Sequence, residues 1–577
     1  MLAKINKITI LQAALIIAIV GFVAFFTGLT RPFLGDDLTQ IVNNVPVHSI
    51  THIRLFFEGG TFYNGQGLAP LTGVYYRPLT TTVFSLLYTL FGPHPIYFHL
   101  LQLVLSVSSV IILFLVFRYS FKPVLSLILA LVLLVHPLNS QVAFAIPSMQ
   151  DALFFFFGIL AIWLLLRFKS RKSLILVAGC LFLSMLSKET AIVFIIMSLL
   201  YLFWFNRERL YAFIGTMILP IGLYLALRIN AIGFIAHSTV APIDNLNLVG
   251  RLFTAPSIVL FFISKLVFPW RLATAYYWIH PTFSFRYFVV PIIIILALVG
   301  LVIYMAYLLR QKVPKAKYYT YLFFAVWTVV GLLPYLQIIP LDMTAYEAWF
   351  YFSIVGVLGM LGIVIEAYRV RLKWIVIVGV AVIGLLGVRT ALRGLDYSSQ
   401  YSLSSKDIVA SPSDYVAYNN VAGILLSRNQ FSHAKPFAEK SVNIFPTSLN
   451  LNNLGLDLTD LGDYSGAKSA YERGINYNSF YSQVIYENLA DLTIVYGNPS
   501  TDGQFFTDAL KKFPQDSEIL MYLAIVEDEY NDNTMAKTYI TKAAEDGQIP
   551  RVIYYEIINN KPLILNFNGT GKLVTIQ

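Results

Sequence analysis

Long apolar runs dominate the first 394 residues of the chain. Eleven of them approach or reach the roughly 20 residues that a helix needs to cross a bilayer. They lie near residues 8–28, 96–117, 123–138, 152–167, 173–187, 189–205, 210–229, 288–309, 318–336, 346–367 and 374–391. Two further apolar runs, at 76–91 and 253–270, are ambiguous. The pattern predicts an all-α, polytopic membrane domain over 1–394 with about 11 transmembrane helices.

The basic residues between these runs predict how the domain is oriented. They form six groups, at 4–7, 118–122, 167–172, 207–209, 310–317 and 369–373. If 76–91 and 253–270 do not span the membrane, all six groups lie on one face, which the positive-inside rule assigns to the cytoplasm. We therefore interpret both runs as interfacial or re-entrant helices. The N-terminus is then cytoplasmic, and the first loop (29–95) and the C-terminus lie outside.

After about residue 395 the long apolar runs stop, and a period of about 34 residues begins. Small residues recur twelve positions apart, as in Gly455 and Ala467, and they let two antiparallel helices pack closely. The pattern resembles about four tetratricopeptide repeats over 413–548, an α-solenoid with a concave binding surface. We expect a linker over 395–412 and a C-terminal tail over 549–577. The repeats could bind a ligand or acceptor, or could form a structural cap on the membrane domain.

The composition is typical of a membrane protein and argues against nucleic acid as a partner. The chain is 57% hydrophobic and only 12% charged, whereas soluble domains carry about 25% charged residues. The formal charge of +10 is modest, and most basic residues lie in short loops between apolar runs. This distribution indicates membrane orientation rather than nucleic-acid binding. A single cysteine, Cys180, excludes an intrachain disulfide.

Two adjacent aspartates, Asp36 and Asp37, follow the first apolar run on the predicted outer face. Carboxylates beside a bilayer are costly to desolvate, so the pair calls for an explanation. Asp37 precedes LTQIV and could cap a helix, but a cap needs one aspartate rather than two. An external pair could act as a general base or hold a cation. We expect Asp36, which follows Gly35, to be the base, and Asp37 to cap the next helix or to orient the reacting groups.

Several short motifs follow in order: YRPL (76–79), FHLLQ (98–102), HPLNSQV (136–142), SKE (187–189) and YEAWFYFSIVG (346–356). With the acidic pair before them and the repeats after them, they resemble the transmembrane and tetratricopeptide-repeat O-mannosyltransferases. These enzymes are GT-C glycosyltransferases, and the wider protein O-mannosyltransferases are also similar. The chain has Gln102 where the family has Asn and Gln141 where the family has Glu. The family motif AERxLYLPS keeps Glu347 and Tyr351 but loses its Arg, and these departures bear on substrate identity more than on fold.

The resemblance implies a glycosyltransferase that takes a sugar from a polyprenyl-phosphate donor by inverting displacement. The expected acceptor is a Ser or Thr hydroxyl of an external protein. The departing lipid phosphate needs cationic and hydrogen-bonding partners, and Arg77, His136 and Lys188 are the candidates. Each also has a structural explanation. Arg77 could anchor its helix at the interface, His136 could cap backbone carbonyls, and Lys188 could pair with Glu189.

Three more residues could support the site: His99, Glu189 and Glu347. His99 could instead be a packing histidine, and Glu347 could be a charge at a helix N-terminus. No His/Cys ligand cluster stands out in the sequence. We therefore expect no cofactor, and a divalent metal is possible but not favoured.

Two alternatives to protein glycosylation remain open. The same fold could glycosylate a surface glycan or lipid, or the chain could be a non-catalytic, membrane-anchored repeat scaffold. The expected partners are a lipid-linked sugar donor, membrane lipids and a protein or peptide acceptor, which the repeats could bind. No nucleic-acid partner is expected. The expected location is the plasma membrane, or the endoplasmic reticulum membrane if the source is eukaryotic.

Overall fold

The computed structural model describes residues 8–63, 67–233, 241–477, 482–496, 499–529, 532–545 and 549–561. The regular elements in these residues are helices, and the β-type pairings are two isolated bridges, Phe62 with Thr72 and Tyr276 with Ala345. The predicted all-α fold is confirmed. The chain forms two compact units, Met1–Pro412 and Ser413–Gln577. The segment predicted as a linker contains helix Gln400–Ala410, and residues 562–577 of the predicted tail lie outside the described residues.

Sixteen α-helices make up the described part of the first unit, joined by short 3₁₀ and π-helical turns. They are α1 (Ile10–Phe25), α2 (Ile53–Glu58), α3 (Pro78–Phe91), α4 (Pro95–Phe117), α5 (Pro123–Val135), α6 (Ser140–Phe144), α7 (Met149–Arg167), α8 (Ser173–Ser187), α9 (Ile192–Phe205), α10 (Leu210–Ile232), α11 (Leu248–Val267), α12 (Val290–Lys312), α13 (Lys315–Leu332), α14 (Tyr351–Ala367), α15 (Leu372–Asp396) and α16 (Gln400–Ala410). Proline begins α3, α4 and α5. Proline suits a first helical position because the N–H that it lacks would have no partner there.

Nine helices in the described part of the chain are long and apolar enough to cross a membrane. They are Ile10–Gly28, Pro95–Phe117, Ile146–Arg167, Arg207–Ile232, Leu248–Val267, Phe285–Lys312, Lys315–Tyr335, Glu347–Ala367 and Leu372–Asp396. A tenth span results if the pair Pro123–Val135 and Pro137–Phe144, bent by 52°, counts as one. These helices confirm the polytopic membrane fold.

Four apolar segments bear on the predicted number of spans. The helices Ser173–Ser187 and Glu189–Phe205, which the sequence predicts as spans, are shorter than the other candidate spans, and so is Pro78–Phe91. The run near 253–270, interpreted as interfacial, begins earlier than predicted and becomes the 20-residue helix Leu248–Val267. Its length and hydropathy are those of a span. The interfacial interpretation rests on the positions of the basic loops, which helix length does not test, so it stays a prediction.

The spans that contain α4, α7 and α14 form the centre of the first unit. Their apolar windows are 56%, 61% and 72% buried, whereas the window containing α12 is only 6% buried. The central helices approach closely: at Gly158 of α7, an added Cβ would lie 2.2 Å from the ring of Phe194. Small residues at helix contacts are typical of membrane bundles. The outer helices expose apolar side chains, as lipid-facing helices do.

The second unit is built from antiparallel helix pairs. Its helices are α17 (Tyr415–Leu426), α18 (Phe431–Ile444), α19 (Ser448–Asp460), α20 (Tyr464–Ile475), α21 (Ser482–Tyr496), α22 (Pro499–Lys512), α23 (Ser517–Glu529), α24 (Asn533–Ala544) and α25 (Arg551–Ile558). Gly455 has the role that the sequence predicts for it, because a Cβ there would lie 2.3 Å from the Tyr471 ring. Asp463 caps α20 by accepting the N–H of Gly466 at 3.0 Å. Four successive helix pairs form the predicted α-solenoid.

Candidate functional site

A cavity of about 130 Å³ brings together side chains from five separate parts of the first unit. We call it the Asp36 cavity. The first loop supplies Asp36 and Tyr75, the start of α3 supplies Arg77, and the α8–α9 connection supplies Lys188 and Glu189. The others come from the first loop, the start of α7 and the turn before it, the α8–α9 connection, and the segment between α13 and α14. Its remaining lining residues are Gln40, Phe62, Pro147, Gln150, Thr190, Tyr335, Leu341, Asp342, Met343, Tyr346 and Trp349.

Asp36 is the carboxylate that is open to this cavity. It follows Gly35, whose φ of +52° lies in the left-handed region that favours glycine. The side chain of Asp36 reaches solvent, and it has no hydrogen-bond partner among the described residues. Although Asp36 is exposed at the opening of the cavity, the protein around its carboxylate limits hydration, and this desolvation, followed by the nearby Asp342 charge, raises the pKa of Asp36 to about 6. A base with a pKa near 6 is ionised at neutral pH and can still take up a proton.

Asp342 is a second carboxylate of the cavity, and the sequence analysis did not select it. Its carboxylate accepts a hydrogen bond from the Tyr75 hydroxyl. The Tyr75 ring in turn lies 4.0 Å from the guanidinium carbon of Arg77. Burial raises the pKa of Asp342, although the Tyr75 bond and the Arg77 charge oppose that rise. Asp342 is therefore held in place, whereas Asp36 is free to meet a ligand.

Asp37 is not among the residues that line the cavity, and it does not cap a helix as predicted. Its Oδ2 accepts the N–H of Leu34 at 2.7 Å, and its own N–H donates to the Leu34 carbonyl at 3.0 Å. The side chain makes no capping bond to the π-helical turn Leu38–Val42 that follows. The expectation was wrong because the carboxylate turns back to close the 34–37 turn. Asp37 thereby fixes the turn that carries Asp36.

Arg77 lies in the cavity wall but is already paired. Its Nε and Nη2 donate to the two carboxylate oxygens of Glu189 at 3.1 and 2.9 Å, and its Nη1 donates to Gln150. This two-bond geometry is the strong form of an arginine–carboxylate pair. A phosphate at this position would therefore have to compete with Glu189.

Lys188 is also paired, though not with Glu189 as the sequence suggested. Its Nζ lies 2.6 Å from Asp151 Oδ1, and the two residues are only 3% and 2% exposed. Asp151 Oδ2 has no hydrogen-bond partner in the described part of the chain. The sequence contains a signal for Asp151, which is a lone aspartate near the start of the apolar helix α7. A charge in such a helix is costly to bury, so it is usually paired or functional.

The structure does not bring His99, His136 or Glu347 into the lining of the cavity. His136 donates from Nε2 to the Leu266 carbonyl at 3.0 Å, and its Nδ1 accepts the Leu138 N–H at 3.3 Å. Glu347 is fully buried, and its Oε1 accepts the Tyr276 hydroxyl at 2.6 Å and the Ala273 N–H at 2.9 Å. His99 is buried inside α4. The bonds of His136 match its alternative role as a backbone cap.

The charges of the cavity favour proton transfer more than phosphate capture. Asp36 and Asp342 face the cavity, while both cations of its wall have carboxylate partners. Within the described ranges, no group of three or more His, Cys, Asp or Glu side chains could hold a metal ion. The geometry thus presents one unpartnered carboxylate beside a fixed one, surrounded by two neutralised ion pairs.

Comparisons with known proteins match part of the chain. The family model "Dolichyl-phosphate-mannose-protein mannosyltransferase" matches residues 77–232, which include Arg77, Asp151, Lys188 and Glu189 but neither Asp36 nor Asp342. "Protein O-mannosyl-transferase TMTC1" of Mus musculus is 31% identical over 144 residues, 24% of this chain and 15% of that protein. "Protein O-mannosyl-transferase TMTC3" of Mus musculus is 27% identical over 150 residues, 26% of this chain and 16% of that protein. These matches confirm the resemblance that the motifs predicted, over a small part of the relatives' length.

Two solved structures overlap with the chain at low structural similarity. One is "Crystal structure of YrrB: a TPR protein with an unusual peptide-binding site". The match has 17% identity and a TM-score of 0.23, and it covers 25% of this chain and 73% of that chain. The other is "Functional Characterization of Pseudomonas Aeruginosa pilF". The match has 15% identity and a TM-score of 0.24, and it covers 41% of this chain and 97% of that chain. The repeat architecture therefore rests on the helix pairs described above.

Proposed function

We propose that this protein is an integral membrane glycosyltransferase that moves a sugar, mannose in the first instance, from a polyprenyl-phosphate donor to a protein hydroxyl. The single observation that carries the proposal is the unpartnered Asp36 carboxylate in a cavity at the end of a membrane bundle. The match of residues 77–232 to a mannosyltransferase family model supports the donor class. The helix-pair repeats support a protein or peptide acceptor.

In the proposed reaction, Asp36 accepts the proton of a Ser or Thr hydroxyl as its oxygen attacks the anomeric carbon of the sugar. A new carbon–oxygen bond forms on one face of the sugar, while the bond to the phosphate oxygen breaks on the other. The configuration is inverted, and the lipid phosphate leaves with the electron pair. Because the donor is tethered to the membrane by its lipid, the base has to lie close to the ends of the spans.

Asp342 and Tyr75 position the reacting groups in this proposal. The Tyr75–Asp342 bond fixes a second carboxylate near Asp36, where it can accept a hydrogen bond from the sugar or the acceptor. Arg77 stacks on Tyr75 and adds positive potential to the cavity wall. The pairs Arg77–Glu189 and Lys188–Asp151 leave neither cation free as a phosphate ligand. In this proposal, the effect of each cation on the departing phosphate is that of a whole ion pair, in which the carboxylate offsets most of the positive charge.

A transfer assay with the purified full-length protein tests the proposal. The substrates are polyprenyl-phosphate mannose and a Ser/Thr-rich peptide, and the readout is labelled mannose on the peptide. We expect transfer by the wild-type protein and by Asp508→Asn, which alters an exposed carboxylate of the second unit. If labelled mannose appears only on a lipid or glycan added beside the peptide, the acceptor is wrong. If no acceptor is labelled from any polyprenyl-phosphate sugar, the enzyme proposal fails.

We also propose that the N-terminus is cytoplasmic and the repeats are extracytoplasmic. Six basic groups fall on one side when the predicted spans are threaded through the membrane. A reporter that is active only in the cytoplasm should therefore be silent when fused after Gln577 and active when fused before Met1. Activity of the C-terminal fusion would contradict this orientation. It would also indicate that an additional helix crosses the membrane, with Leu248–Val267 as the first candidate.

A further inference from the structure

A second cavity lies near the C-terminal end of helix α14, whose N-terminal end lies beside the Asp36 cavity. Helix α14 begins after Trp349, which lines the Asp36 cavity, and ends at Ala367, about 25 Å away at 1.5 Å per residue. At that far end, residues of α5, α13, α14 and α15 line a cavity of about 430 Å³. We call it the Arg369 cavity. The proposed reaction makes no use of it.

Its polar side carries more positive than negative charge. Lys122, Lys317 and Arg369 line it with one carboxylate, Glu366. Glu366 is already bonded on both oxygens: Oε1 accepts the backbone N–H of Lys122 at 2.9 Å, and Oε2 pairs with Lys317. The side chains of Lys122 and Arg369 have no hydrogen-bond or ion-pair partner among the described residues. Two cations are thus left without a counter-charge at the mouth of the cavity.

The opposite side of the cavity is apolar. It is formed by Val124, Leu125, Ile365, Val370, Leu372 and Ile375. A ligand that fills this space has an anionic group for the cations and a hydrocarbon part for the wall. Cationic pockets between membrane helices are the sites at which anionic lipid headgroups are recognised.

The backbone at Arg369 supports a role for its side chain. Arg369 has a φ of +50°, in the left-handed region, and it ends α14 with an N–H bond to the Glu366 carbonyl at 3.1 Å. Glycine is the usual residue at such a helix end because it has no Cβ to strain. Arginine is strained in this conformation, and the favourable interaction of its charge with the end of α14 does not require a residue at this strained position.

We propose that the Arg369 cavity binds the phosphate headgroup of an anionic phospholipid, whose acyl chain lies along the apolar wall. Lys122 and Arg369 hold the phosphate, and Lys317 stays with Glu366. The site lies at the opposite end of α14 from Asp36, so it is independent of the proposed transfer reaction. The bound lipid would tie together the ends of the four helices that line the cavity.

The test measures thermal unfolding of the full-length protein in nanodiscs of phosphatidylcholine with or without phosphatidylglycerol. We expect phosphatidylglycerol to raise the midpoint of the wild-type protein and to remain bound in native mass spectrometry. Lys122→Gln/Arg369→Gly should weaken that lipid's binding on the order of tenfold or more. Because glycine suits the backbone at 369, the variant should be at least as stable as the wild type in phosphatidylcholine alone, which separates ligand loss from misfolding.

The matched control is Arg171→Gln, an exposed arginine in another basic loop on the same predicted face. It should keep the full response to phosphatidylglycerol. Equal lipid binding by wild type and double variant, or equal loss in Arg171→Gln, would overturn the proposal, since the effect would then come from general surface charge. Stabilisation by inorganic phosphate alone, without phosphatidylglycerol, would also overturn it in favour of a soluble anion. If the double variant unfolds in phosphatidylcholine, Arg369→Gly alone provides the same comparison.

Discussion

Replacing Asp36 with asparagine should lower the rate of sugar transfer by a factor on the order of 10²–10⁴. Asparagine has nearly the same shape as aspartate but cannot take the proton of the acceptor hydroxyl. Folding should be unaffected, because the Asp36 carboxylate has no hydrogen-bond partner among the described residues and reaches solvent. Single-turnover transfer with purified protein measures the loss, and thermal unfolding checks that the variant is intact.

Asp37→Asn is the natural comparison, because the two residues are adjacent in sequence and differ in contacts. The amide oxygen of asparagine can still accept the Leu34 N–H that Asp37 accepts at 2.7 Å. We therefore expect a much smaller loss of rate than for Asp36→Asn. If Asp37→Asn is inactive while Asp36→Asn keeps its rate, the base is Asp37. If neither substitution slows transfer, the acidic pair is structural and the proposed mechanism fails.

The pH dependence of transfer gives a second measure of the role of Asp36. A general base works in its ionised form, so kcat/KM should rise with pH through the pKa of Asp36, about 6, and level off above it. The charge of Asp342 contributes to that raised pKa. In Asp342→Asn the charge is absent, and the rise should move to lower pH. A rise that stays at the same pH in Asp342→Asn would mean that Asp36 is not the group that titrates.

Sequence reasoning found the elements that depend on local pattern. Apolar runs of spanning length become helices because lipid leaves the backbone no other way to satisfy its hydrogen bonds. Gly455 could be predicted because the spacing of small residues reports helix contact directly, and the structure places Tyr471 against it. Asp36 could be selected because its position beside the first span is itself unusual. These features can be read within a window of a few dozen residues.

The partners of the site residues could not be predicted in the same way. Asp342 meets Tyr75, and Asp151 meets Lys188, only after the bundle has folded. The sequence suggested that Lys188 pairs with its neighbour Glu189. In the structure, Glu189 pairs with Arg77 and Lys188 pairs with Asp151. Asp37 illustrates the same limit at short range, since capping rules consider the residues that follow and the carboxylate bonds to Leu34, which precedes it. Pairing in a crowded interior is decided by tertiary geometry.

Substituting Lys188 with methionine should destabilise the first unit by about 3–5 kcal/mol, because it leaves the buried Asp151 carboxylate without a counter-charge. The ion pair is 2.6 Å long, and its side chains are only 4% and 2% exposed. Asp151 Oδ2 has no hydrogen-bond partner among the described residues, so after the substitution the carboxylate keeps only the charge of Arg77, which is itself paired with Glu189. The shift of the thermal midpoint in a fixed detergent, with the corresponding denaturant titration, measures the loss.

The double variant Asp151→Leu/Lys188→Met separates the structural role of the pair from a role in catalysis. Replacing both members of a buried ion pair with apolar residues of similar size is often neutral or stabilising, so most of the lost stability should return. The exposed pair Lys511–Asp508, with side chains 71% and 56% exposed, is the matched control. There, Lys511→Met should cost no more than about 1 kcal/mol.

If the stable double variant transfers sugar at the wild-type rate, Lys188 has no part in stabilising the departing phosphate. If the variant is stable and slow, the field of Lys188 acts on the reaction. A double variant as unstable as Lys188→Met alone would contradict the view that an unpaired charge causes the loss.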